Sequence, residues 1–398
     1  MTTRTQSTFA PPIPQARRWL DGVTFPDDRP LINLSQAAPV DPPPPALRAA
    51  MAVAMERPET HLYGPVLGNP SLRQALAENW TEHYGAPVRA EQIAITAGCN
   101  QAFAAALTAL TTEGDEVMLP LPWYFNHKMW LDMSGVTAVS LATGPDLIPD
   151  AATAEALITP RTRAIALVSP NNPGGVEYPP ETLRAFYDLA QRHGLRLILD
   201  ETYRDFHSQP GAPHGLLELP DWDRTLIQLY SFSKAYRLTG HRVGAIIGEP
   251  ALLDEIEKFQ DTVAICAPQM GQIAAEWGLR QLGEWVAEQR AEILSRRAAV
   301  SAHFPKMATG GWRLLGLGAY FAYIEHPFAE PASILAPRIV REAGVLLLPG
   351  SMFYPEGDAT GERHFRVAFA NADAGGIAAM TERLAALDWP LAARMGDK

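Results

Sequence analysis

The sequence predicts an α/β protein in two parts: a large domain built on a mostly parallel sheet flanked by helices, and a smaller α/β domain formed by the C-terminal part with the N-terminal arm. From about residue 91, short unbroken apolar runs recur with helix-length segments between them. Such runs are strands buried on both faces, as a parallel sheet between helix layers requires. After Gly248 the pattern changes to a long helical stretch, then to shorter strands mixed with helices. A chain of 398 residues accommodates a large domain with a smaller lobe.

Residues 1–45 are rich in proline and turn formers and end in Pro42-Pro43-Pro44-Pro45. That run fixes φ and offers no backbone donors, so it reads as an extended arm. Helices are expected at about 46–57 and 70–84, the second with Leu72, Leu76 and Trp80 spaced by four. Ile93-Ala94-Ile95-Thr96 reads as a buried strand. A helix over 100–112 follows, with Phe103, Ala106, Leu107 and Leu110 on one face. Further strands are expected at 116–119, 136–141, 164–168, 195–199, 226–230 and 243–247. A largely helical stretch covers about 250–303. Strands at 320–324, 345–348 and 365–369, with two helices, make the smaller lobe. The expected division is an arm over 1–45 that packs with the small domain, a large domain over 46–285 and a small domain over 286–398.

Hydrophobic residues at 47% and charged residues at 19% describe a folded globular chain. Lys and Arg sum to 33 against 44 Asp and Glu, a net charge of −11, which argues against a nucleic-acid-binding face. The two cysteines, Cys99 and Cys266, make neither a disulfide framework nor a four-thiolate site, and a reducing compartment suits them. The first twenty residues hold no apolar stretch of signal-peptide length, and no window reaches the roughly 18 apolar residues of a membrane helix. The expectation is a cytoplasmic protein that contacts no membrane. No His/Glu constellation of zinc-site spacing stands out, so no catalytic metal is expected.

The strongest local signal is Ser231-Phe232-Ser233-Lys234 followed by Leu238-Thr239-Gly240-His241-Arg242. A lysine amine becomes a nucleophile toward aldehydes when desolvation or a nearby cation lowers its pKa. Two serines and an arginine can hold a phosphate dianion. In Leu197-Ile198-Leu199-Asp200-Glu201-Thr202-Tyr203 a carboxylate closes a buried strand, at the sheet edge where ligands of open α/β sheets bind. An Asp there either caps the next segment or pairs with a protonated ring nitrogen. Ser169-Pro170-Asn171-Asn172-Pro173-Gly174-Gly175 also follows a strand. It is a tight turn by composition, and Asn172 adds an amide donor at the same edge. Thr96-Ala97-Gly98-Cys99-Asn100 comes between a strand and a helix, which directs free N–H groups at an anion. Pro122-Trp123-Tyr124 supplies an aromatic face. Pyridoxal phosphate needs all of these together: a lysine for its aldehyde, a carboxylate for its ring nitrogen, Asn and Tyr for its phenolic oxygen, a stacking face and a phosphate site.

At this point the sequence resembles the class I/II aminotransferases of the aspartate aminotransferase fold, fold type I, over nearly the whole chain from Ile32. The Asn-Asn-Pro-Gly-Gly turn, Asp200-x-x-Tyr203 and Ser-Phe-Ser-Lys-x-x-x-Leu-Thr-Gly-x-Arg stand in the family's order and spacing. The resemblance implies that Lys234 forms the internal aldimine and shuttles the substrate proton, and that Asp200 holds the pyridinium. Asn172 and Tyr203 would bond the phenolic oxygen, and Tyr124 would stack on the ring. The N–H groups of Cys99 and Asn100, with Ser231, Ser233 and Arg242, would take the phosphate. His127 is similar to the histidine that supports the aspartate from behind. Arg366, in His-Phe-Arg-Val-Ala-Phe, matches the arginine that grips the substrate α-carboxylate. Tyr63, in Tyr-Gly-Pro-x-x-Gly, resembles the tyrosine that reaches the neighbouring subunit's phosphate, which implies a homodimer with shared sites. Ala37 stands where relatives often have a substrate-contacting Gly. Gly98-Cys99-Asn100 lacks the lysine of acid-specific relatives, Gly174-Gly175 replaces the commoner Thr-Gly, and Arg237 reads as a solvated side chain.

The implied activity is transfer of an amino group from an α-amino acid to a 2-oxo acid by a ping-pong route. A lyase or cyclase of the same fold uses the same lysine. A regulator that senses the cofactor would carry a DNA-binding domain in front of the fold, where this chain has an arm of only about 30 non-basic residues. A nicotinamide-dependent dehydrogenase would need Gly-x-Gly-x-x-Gly after its first strand. Gly98-Cys99-Asn100-Gln101-Ala102 does not supply it.

Overall fold

The structure, a computed structural model, describes residues 3–392. The ends of the expected 1–45 and 286–398 segments, residues 1–2 and 393–398, lie outside the described residues. The proline-rich start is not extended throughout. Its prolines initiate a helix, α1 (Pro12–Arg18), because Pro at the first helical positions lacks only an N–H that has no acceptor there. A short strand, β1 (Ile32–Asn33), and α2 (Pro45–Met55) follow, the latter starting on the proline run itself. Helix α3 (Pro70–Tyr84) buries Leu72, Leu76 and Trp80, as their spacing requires.

The chain then alternates: β2 (Ile93–Thr96), α4 (Cys99–Leu110), β3 (Glu116–Pro120), α5 (Phe125–Ser134), β4 (Thr137–Leu141), α6 (Ala151–Glu155), β5 (Thr162–Val168), α7 (Pro180–His193), β6 (Arg196–Asp200), β7 (Leu226–Ser231), α8 (Phe232–Ala235) and β8 (Gly244–Ile247). These strands form a seven-stranded sheet of order β2-β8-β7-β6-β5-β3-β4. The pairs β3–β4, β3–β5, β5–β6 and β6–β7 are parallel. Strand β8 runs antiparallel to both neighbours, because the connection over 232–243 holds no helix long enough to carry the chain back across the sheet.

Helices α9 (Pro250–Ala264), α10 (Gln269–Gln281) and α11 (Gly283–His303) come next, and the expected 285/286 division falls inside α11. The remaining elements are α12 (Pro305–Ala308), β9 (Arg313–Gly318), β10 (Phe321–Glu325), α13 (Ala332–Ala343), β11 (Val345–Leu346), β12 (Leu348–Pro349), β13 (His364–Ala368) and α14 (Ala374–Ala385). An antiparallel sheet of order β12-β13-β10-β9 packs over a core that includes Leu335, Ile339, Phe321 and Phe365. The run at 345–348, expected as one strand, divides at Leu347. Its first half pairs in parallel with β1, and its second half pairs with β13. No described helix is long and apolar enough to cross a membrane.

Candidate active site

Three adjacent parallel strands, β5, β6 and β7, deliver the Asn172 turn, Asp200 and Ser231 to one sheet edge. Strand direction adds a fourth segment. Because β8 is antiparallel to β7 and to β2, Gly244 pairs with both Ser231 and Thr96, so the turn at Gly98 opens onto the same edge. Lys234 sits in the single helical turn after β7. Arg366 approaches from β13 of the smaller sheet, and Ala37 from the segment after β1, which pairs with β11. Together they line a cavity of about 310 Å³.

Asp200 is 4% exposed. Its Oδ1 accepts the Thr202 N–H at 2.9 Å, and His127 Nε2 lies 3.4 Å from its Oδ2. Burial alone would raise its pKa, but His127 and the Thr202 donors outweigh burial and hold the carboxyl below the ordinary value. His127 is buried and stacks on Phe103 with centroids 3.7 Å apart, so it is no surface residue. Lys234 Nζ donates to the Ala37 carbonyl. Burial first, then the positive Arg366 and Arg242, push its pKa down to about 8. Arg366 is 2% exposed, and burial pushes its pKa down to about 10. Its Nη1 donates to Asn172 Oδ1 at 2.9 Å and its Nη2 to the Ser35 carbonyl, while its buried Nε has no partner. The rings of Phe125, Phe321 and Phe353 surround the guanidinium at 6.0, 5.2 and 5.1 Å.

At the Gly98 turn, φ is +92° and a Cβ would overlap the Arg242 guanidinium. Glycine therefore lets Arg242, itself at φ +48°, lie against the start of α4. The first N–H groups of that helix, at Cys99 and Asn100, have no intrahelical acceptor, and Gly98 offers no side-chain cap. The Tyr124 hydroxyl donates to Asn100 Oδ1 at 3.3 Å, and the Ser231 hydroxyl accepts the Ser233 N–H at 3.2 Å. Both cysteines are free; Cys99 is buried, and burial pushes its thiol pKa up.

Every cofactor and substrate residue singled out in the sequence lines this cavity except Tyr63, which is 79% exposed elsewhere on the chain. Arg237 is not a freely solvated side chain: it donates to Gln289 at 2.6 Å, lies 3.5 Å from Asp41 and covers Trp285. Ile13, Gln36, Asn126, Thr202 and Thr239 also line the cavity and went unrecognised in the sequence. Thr202 and Thr239 stand inside the quoted motifs, where they were given no role of their own. Ile13 lies in a segment with no periodic pattern to announce it.

The family model described as aminotransferase class I and II matches residues 29–384. Among curated relatives, an aromatic aminotransferase of Arabidopsis thaliana is 29% identical over 360 residues, covering 88% of each chain. An arginine–pyruvate transaminase of Pseudomonas aeruginosa is 32% identical over 321 residues, covering 79% of this chain and 80% of its own. Among solved structures, a single mutant of Thermus thermophilus aspartate aminotransferase superposes with a TM-score of 0.85 at 25% identity, over 97% of this chain and 98% of that one.

Proposed function

From the premise that the chain belongs to the class I and II aminotransferases, a pyridoxal-phosphate-dependent family, we propose that this cavity serves an α-amino acid and a 2-oxo acid in turn, moving the amino group between them. The observation that carries this reading is a single cavity holding a buried carboxylate, an amine with a pKa of about 8, and a buried guanidinium.

The residues fit the cofactor. The cradle at Gly98, which a Cβ would fill, leaves Arg242 beside the free N–H groups of Cys99 and Asn100, and Ser231 and Ser233 complete an anion site. Asn172 spends its Oδ1 on Arg366, which leaves its Nδ2 to donate to the phenolic oxygen alongside Tyr203. Asp200, held anionic, would take the ring N–H, and Tyr124 would supply an aromatic face to the ring. Pyridoxal phosphate, when bound, supplies an aldehyde for the amine and a conjugated ring that accepts electrons from the bond broken at Cα. Lys234 Nζ would hold the aldehyde and would take the proton from the substrate Cα as general base. The Arg366 guanidinium, which lines the cavity, would grip the α-carboxylate and orient that Cα–H toward Lys234. Exposed Leu62, Tyr63, Val53 and Met55 support a dimer in which Tyr63 reaches the other chain's phosphate site. The two free thiols support a reducing cytoplasm.

Mixing the holoenzyme with one amino acid and no acceptor tests the reaction type. The expected result is stoichiometric conversion of the aldehyde absorbance to the amine form with release of a 2-oxo acid. Release of ammonia, an alkene or a cyclised product would overturn it in favour of a lyase or cyclase.

A further inference from the structure

We infer that Phe103 of α4 is a positioning residue for the cofactor ring, acting through the imidazole of His127 on Asp200; this rests on the placement of that ring against Asp200 proposed above. The three side chains come from three elements. Phe103 lies one turn into α4, His127 in the first turn of α5, and Asp200 at the end of β6. Phe103 is 1% exposed, and its ring stacks on the imidazole with centroids 3.7 Å apart and planes 12° apart. The next closest aromatic pair among the described residues, Phe206 with Tyr320, has centroids 4.8 Å apart, within the range that aromatic pairs ordinarily prefer. Tyr124 meets the same imidazole edge-on, at 79° and 5.0 Å.

A histidine ring turns about a soft, roughly two-fold χ2 torsion, so its plane needs outside support. A flat ring against its face supplies that plane, and with it the direction of Nε2, which lies 3.4 Å from Asp200 Oδ2. The Thr202 N–H holds Asp200 Oδ1, so the imidazole is the second anchor of the carboxyl group. With that anchor turned away, burial acts on Asp200 with less opposition and favours the protonated acid, which offers a ring N–H no negative charge. Phe103 also stands one turn after Cys99, so the helix whose first N–H groups face the phosphate site orients the partner of the ring nitrogen as well. Core packing alone would give Phe103 no effect selective for the ring, since leucine fills most of the same apolar space without a flat face.

The test titrates cofactor-free protein with two probes. Pyridoxamine phosphate reports the ring and phosphate contacts together and cannot condense with Lys234, whereas inorganic phosphate reports the phosphate contacts alone. Phe103→Leu should weaken pyridoxamine phosphate about ten-fold, as the loss of one hydrogen bond to a charged group does, and inorganic phosphate by less than about two-fold. Phe103→Met, a flexible chain in the same space, should do the same. His127→Leu should cause a similar loss, and in that background Phe103→Leu should add less than about two-fold. Unchanged affinities, equal losses for the two probes, or full additivity with His127→Leu would each overturn the role of Phe103 and leave the cofactor placement standing. Wild-type protein that binds inorganic phosphate but no pyridoxamine phosphate would overturn the placement itself.

Discussion

A lysine stripped of hydration and set near two guanidinium groups holds its proton poorly, and at Lys234 the pKa falls to about 8 from 10.5. At pH 7 about one amine in ten is then neutral, against about three in ten thousand for an ordinary lysine. Reductive trapping of an aldehyde at Lys234 in the cofactor-free protein should therefore rise with pH about a midpoint near 8, followed by peptide mass analysis; a midpoint near 10.5 would contradict the burial argument. Stability carries the same sign. Between about pH 8 and 10.5 the unfolded chain binds more protons at this residue than the folded one, so its contribution to stability improves as pH rises through that window. Asp200 and the Ser231–Lys234 stretch are legible in the sequence because each ends an apolar run. The Asn172–Arg366 hydrogen bond is not, since its partners lie 194 positions apart and meet only through packing of the two sheets.

Between elements, the closest approaches depend on paired glycines. A Cβ on Gly175, at φ +76°, would overlap the Phe321 carbonyl, and Cβ atoms on Gly316 and Gly318 would overlap the Gly174 and Gly175 carbonyls. The turn after β5 thus packs backbone to backbone on β9 and the start of β10. The departure from Thr at Gly174 has a separate account: a Cβ there would meet Asn171 Oδ1 at 2.8 Å and Leu147 Cδ1 at 3.1 Å. Gly175→Val should cost about 2–4 kcal/mol in urea unfolding, combining an unfavourable φ with overpacking. Gly211→Ala, at φ +90° with open space around it, should cost only about 1 kcal/mol. Equal losses would show that backbone conformation, and not the contact, sets the requirement.

On the scale of the whole molecule, exposed Tyr63 and its apolar neighbours are costly to leave in water, and a second chain is the cover we propose. If Tyr63 completes the other chain's site, two variants that are each impaired should complement. Co-folded Lys234→Ala and Tyr63→Ala chains form mixed dimers in which one site keeps both residues, so activity should recover to roughly a quarter of wild type. No recovery, with dimers present in sedimentation, would show that Tyr63 acts within its own chain or not at all.

Apolar runs and their spacing fixed the α/β class and the strand ends in advance, because strands buried on both faces and helices with one wet face must write their periods into the chain. The motifs at those ends marked the chemistry, since turns beside a ligand admit few residue types. Only the tertiary structure decided that β8 runs against its neighbours, that 345–348 serves two sheets, and that α1 lines the cavity. These depend on contacts between segments tens to hundreds of residues apart, and no local pattern carries the free energy of such contacts.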